Sequence, residues 1–150
     1  MDSFLDTIAG LPVHPLVVHA AVVLLPLAAL GLIACVLRPA WRERFGGLTV
    51  LGLLGGAAAT VVAKMSGEQL ATRVGLPEEH AEWGERLAIA AVVLAVLSVL
   101  WWFLARDSSK AGIGRILGWI SAVVALAVIA VAIAAGHSGA TAVWTGRIGG

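Results

Sequence analysis

Four histidines are the residues of this chain best suited to chemistry. Two stand in His14-Pro15-Leu16-Val17-Val18-His19, a third is His80, and the fourth lies in Gly136-His137-Ser138-Gly139. A neutral imidazole is an axial ligand for haem iron and a ligand for zinc or copper. Lys64 adds a cation that could meet an anionic group such as a haem propionate. Other chemistries lack their residues. The single Cys35 permits no intrachain disulfide and no thiolate cluster. There is no phosphate-cradling glycine loop, no nucleophile elbow and no pair of carboxylates inside an apolar run.

The setting of these histidines is a lipid bilayer. Of the 150 residues 60% are hydrophobic and 13% charged, with a mean hydropathy of +0.98, so the charges are too few to cover a soluble domain of this size. Residues 13–37, 46–63, 87–105 and 116–145 contain no Asp, Glu, Lys or Arg. Each run is about as long as the roughly 20 helical residues that cross a hydrocarbon core. The sequence predicts an all-α, integral membrane, up-down four-helix bundle forming one domain over 1–150, with helices at about 13–37, 47–65, 77–105 and 112–137. No internal repeat stands out. Residues 1–11 read as an amphipathic helical lead-in, with Phe4, Leu5, Ile8 and Leu11 at helical spacing. Asp2 and Asp6 are unlike the basic start of a signal peptide, so the first helix is expected to stay in the mature protein.

Charge sets an expected orientation. Arg38, Arg42 and Arg44 follow the first run, and Arg106, Lys110 and Arg115 follow the third. The other end mixes Lys64, Arg73, Arg86 and Arg147 with five glutamates between Glu68 and Glu85. The basic loops are therefore expected in the cytoplasm, with both termini outside. A net charge of +1 leaves no nucleic-acid footprint.

This arrangement brings His14, His19, His80 and His137 to one end of the bundle. His19 lies about 7.5 Å deeper than His14 and is rotated roughly 140° from it, so the two need not face one ligand. Depth favours pairing His19 with His137. The diagonal position of helices one and three favours His80, whose ring N–H could reach Glu79, Glu82 or Glu85. Gly52 and Gly56 form a GxxxG pair that could serve a homo-oligomer.

HPLVVH resembles the His-Pro-x-x-x-His opening of a family of small, uncharacterised four-helix bacterial membrane proteins. GHSGATAVW resembles that family's closing Gly-His-x-Gly motif, and His80 stands where the family often carries a histidine. Ala20-Ala21 replace the usual Phe-Pro, and Ala140 replaces a second glycine. The expected location is the inner cell membrane. The resemblance implies haem or redox company, because relatives occur beside or fused to cytochrome-like domains.

Three functions fit these residues. The first is a b-type haem protein for electron transfer, with a redox or membrane-complex partner and with ligands drawn from His19, His137, His80 and His14, Lys64 serving a propionate. The second is a zinc or copper site built on His19, His80 and His137. The third is a cofactor-free accessory subunit of a membrane complex.

Overall fold

The computed structural model describes residues 5, 7–75 and 77–144. Asp2, Phe4 and Asp6 of the expected lead-in lie outside them, as does Arg147. Where the lead-in is described it is a small hairpin rather than a helix. Strands β1 (Thr7–Ile8) and β2 (Leu11–Pro12) pair antiparallel, Thr7 opposite Pro12 and Ile8 opposite Leu11. Ala9 (φ 52°) and Gly10 (φ 80°) form the two-residue turn, and consecutive positive φ values are what a tight hairpin of this kind requires. That turn overrides the weak helical spacing of a few apolar residues.

Four long helices follow: α1 (Val13–Leu37), α2 (Pro39–Val74), α3 (Glu78–Arg106) and α4 (Ala111–Trp144). All four are long and apolar enough to cross a membrane. The helix α1 spans the expected residues. In contrast, α2 overshoots its uncharged run at both ends, and α4 continues past His137. Charges stop a segment from entering lipid, but they do not stop a helix, and α2 carries Arg42, Glu43, Arg44, Lys64 and Glu68 on its extensions. The glycines flanking His137 do not end α4 either. Arg38 alone joins α1 to α2, with Pro39 at the first helical position. At the α3–α4 turn Asp107 accepts hydrogen bonds from the Ser109 backbone N–H (2.9 Å) and hydroxyl (2.6 Å), and Lys110 lies 3.3 Å away. These bonds hold the Asp107 carboxyl below the usual carboxylate range.

Connections this short force antiparallel neighbours. The helix α1 packs along α2 and α3 along α4, while α2–α3 and α1–α4 contacts close the ring. The interior is apolar and alternates alanine with larger residues: Leu25, Ala29, Leu53, Ala91, Leu94, Ala125 and Val128 are fully buried. Large side chains such as Leu27, Leu48, Ile89, Val123 and Ile133 point outward. The alanines and glycines among the buried positions let the helices approach closely, as packing in lipid requires. A Cβ on Gly114 would lie 2.7 Å from the Ala105 backbone, and one on Gly56 would lie 3.0 Å from Leu25 Cα. Gly114→Ala is expected to cost about 1–3 kcal/mol of bundle stability, read from unfolding in mixed micelles, because backbone cannot yield as a side chain can. Gly52 and Gly56 face Ala28 and Leu25 of α1, so this stripe is occupied within the chain rather than left for a homo-oligomer.

The two hairpins repeat each other, contrary to the sequence reading. The register shift that carries His14 onto His80 carries Ala21, Leu25, Ala28, Ala29, Leu32 and Cys35 onto Leu87, Ala91, Leu94, Ala95, Ser98 and Trp101, all buried. The shift that carries Ala63 onto Ala135 likewise carries Thr49, Leu53, Gly56, Thr60 and Ser66 onto Ser121, Ala125, Val128, Ala132 and Ser138, again all buried. Both hairpins run in the same direction, the pattern of a parallel repeat whose axis lies along the bundle.

Candidate functional site

The repeat ends in a matched pair of histidine sites. In the first hairpin His14, in the first turn of α1, donates from Nδ1 to the Ala63 carbonyl on α2 at 2.7 Å. In the second, His80, in the first turn of α3, lies 3.1 Å from the Ala135 carbonyl on α4 through the same nitrogen. Both carbonyls belong to an Ala-x-x-Ser-Gly segment, Ala63-Lys64-Met65-Ser66-Gly67 and Ala135-Gly136-His137-Ser138-Gly139. Ser138 donates its hydroxyl to the same Ala135 carbonyl at 3.0 Å, whereas the Ser66 hydroxyl donates to the Val62 carbonyl at 2.7 Å and lies 3.1 Å from the Ala63 carbonyl. Each glycine gives the imidazole its seat. A Cβ on Gly67 would lie 3.0 Å from the His14 ring, and one on Gly139 would lie 2.9 Å from the His80 ring.

The two rings meet across the bundle, with centroids 6.2 Å apart and planes at 77°. A carbonyl oxygen only accepts, so each neutral ring carries its proton on Nδ1 and keeps the Nε2 lone pair. Both side chains are half-buried. The contact joins α1 to α3, the diagonal helices. The other diagonal is flanked at this level by Ala63, Ser66, Gly67, Ala135, Ser138 and Gly139, all small.

His19 and His137 do not join this pair. His19 is exposed, and its Nδ1 turns back to the Pro15 carbonyl one turn earlier, at 2.5 Å. His137 is exposed on α4, and its own carbonyl accepts from the Thr141 hydroxyl at 3.0 Å. The rotation that separates His14 from His19 sends the first inward and the second outward. The expected convergence of His19, His80 and His137 on one ion is not built: among the described residues no group of three or more His, Cys, Asp or Glu side chains could hold a metal. The glutamates proposed for the His80 N–H are displaced by Ala135 and Ser138, and Glu82 instead binds Arg86 at 3.1 Å. Lys64 binds Glu68 at 2.5 Å on the α2 surface. Lys64→Ala should leave the thermal midpoint unchanged, since an exposed pair one turn apart contributes little.

Ser66, Gly67, Ser138, Ala63 and Ala135 were not singled out from the sequence. The repeated Ala-x-x-Ser-Gly, each copy trailing a histidine that opens the preceding helix, is the signal that marks them.

Fold and composition together define a four-helix membrane protein. The chain belongs to the DUF2231 family of predicted membrane proteins, which matches residues 10–150. No curated protein and no solved structure matches it.

Proposed function

We propose that this membrane protein binds one b-type haem at the histidine end of the bundle, with His14 and His80 as the axial ligands, and serves electron transfer. One observation carries the reading: two imidazoles on diagonal helices lie beside each other at one end of the bundle, each fixed through Nδ1, with no hydrogen bond to either Nε2 among the described residues. The rings stand 6.2 Å apart. The donor set also favours haem over zinc or copper. A porphyrin leaves only two positions for protein ligands, whereas a closed zinc site needs four donors. The small residues on the α2–α4 diagonal fit a flat group placed across the His14–His80 axis.

The chain's own residues set the ligands. Ala63 and Ala135 fix the tautomer and ring orientation through their carbonyls, and a hydrogen bond at Nδ1 raises the basicity of Nε2. Haem, when bound, supplies one-electron chemistry. The arginine-rich loops favour a cytoplasmic position for the opposite end, which puts the histidines at the outer face, within reach of a redox partner there.

The test is the absorption spectrum of the purified full-length chain from haem-replete cells, with porphyrin and metal assayed together. The expected result is a Soret band and one haem per chain. Stoichiometric zinc or copper without porphyrin would replace the reading with a metal site, and neither group would leave the accessory-subunit reading.

A further inference from the structure

The end of the bundle remote from the histidines has a feature that they do not use. Arg42, at the start of α2, lies between two clefts of about 450 and 400 Å³. Arg44, Arg106, Trp102 and Leu48 line the first with it, together with Glu43, and Arg115 lines the second. The Arg42 Nε is buried and has no hydrogen-bond acceptor among the described residues. A buried donor left unpaired is costly, so the position calls for an acceptor that the described chain does not supply. Arg44 and Arg106 stack over Phe45 and Trp102, at 5.3 and 4.5 Å. Stacking occupies the guanidinium face and leaves its N–H edge for an anion. None of Arg42, Arg44, Arg106 and Arg115 forms an ion pair among the described residues, whereas Lys64, Arg86 and Lys110 do.

The depth of the cleft identifies the anion. Trp41, Phe45, Trp102 and Trp119 gather where the uncharged runs end, the level at which aromatic side chains meet lipid headgroups. Leu48, in the cleft wall, is 70% exposed and lies within the uncharged run of α2. We infer that Arg42, with Arg44 and Arg106, seats the phosphate of an anionic phospholipid in the first cleft, its acyl chains lying along Leu48. Arginine recognises phosphate through two parallel N–H bonds, and basic pockets between membrane helices are known seats for anionic headgroups. The excess of arginine over the single Glu43 selects an anionic headgroup over a zwitterionic one.

Native mass spectrometry of the full chain released from bilayers of equal phosphatidylglycerol and phosphatidylcholine tests this. The chain should retain phosphatidylglycerol about tenfold over phosphatidylcholine. Arg42→Ala should bring the ratio near one, and Arg42→Lys, which keeps the charge and loses the fork, should fall between. Arg38→Ala, whose guanidinium stacks on Trp41 and does not line the first cleft, should match the parent. If Arg42→Ala does not fold, Arg44→Ala with Arg106→Ala tests the same seat. Equal retention of the two lipids by the parent, or undiminished preference in the Arg42 or double variant, would overturn the site. Displacement of the lipid by millimolar inorganic phosphate would overturn the lipid assignment in favour of a soluble phosphate.

Discussion

Alanine at either His14 or His80 is expected to empty the proposed haem site, while alanine at His19 or His137 leaves it filled. The first two rings lie beside each other on the α1–α3 diagonal, and the second two are exposed on the outside of the bundle. Removing even an outer-shell partner of a metal ligand typically costs 10–100-fold in affinity, so removing the ligand itself should cost at least that. The double variant should be no worse than either single one, because both ligands serve one group and the effects cannot add. The fold should survive. The Ala135 carbonyl keeps its Ser138 bond when the imidazole is lost, and the Ser66 hydroxyl, bonded to Val62, lies 3.1 Å from the Ala63 carbonyl, so the expected penalty is about 1 kcal/mol, one hydrogen bond. Haem-to-protein ratio and Soret intensity are the measurements. Full occupancy in His14→Ala, or loss in His137→Ala, would return the assignment to the deeper pair.

Helix count and the limits of α1 follow from where charge and proline stand, because lipid excludes charge and Pro12 and Pro39 bracket the run. The same logic misjudges α2, since a helix continues into water while the apolar run does not. The gathering of the histidines at one end was predictable from alternating helix direction. Their pairing was not, because it depends on helix rotation, and a rotation is set by side-chain packing between helices that no single run encodes. The roughly 140° rotation between His14 and His19 separates them, one turned inward and the other outward, whereas depth along the helix does not. The repeat escaped notice for a related reason. Its halves share burial register rather than residue identity, so that Leu25 answers to Ala91 and Cys35 to Trp101. Only the short Ala-x-x-Ser-Gly copies preserve letters.

Those copies give the second prediction, in which two glycines of one motif part company. Gly136 and Gly139 both flank His137, yet a Cβ on Gly136 meets nothing within 4 Å, whereas one on Gly139 would lie 2.9 Å from the His80 Cε1 and 3.1 Å from its Nδ1. Gly136→Ala removes a flexible residue from a helix interior and should stabilise the bundle by about 0.5–1 kcal/mol without touching the site. Gly139→Ala should push the His80 ring off the Ala135 carbonyl. Helix packing can absorb a displaced ring at a cost of about 1 kcal/mol, the worth of the hydrogen bond lost. The ligand cannot absorb it, because the carbonyl bond is what aims Nε2, and haem affinity should fall about tenfold. Gly67→Ala should do the same to His14, with its Cβ 3.0 Å from that ring. Haem titration of the three variants reads the affinities. The Nδ1–H resonance of each imidazole, followed by NMR without haem, reads the ring position separately. A Gly139→Ala protein that keeps the His80 Nδ1–H signal unshifted would show that the glycine seat does not position the ring. A shifted signal with unchanged affinity would show that the ring position does not govern binding.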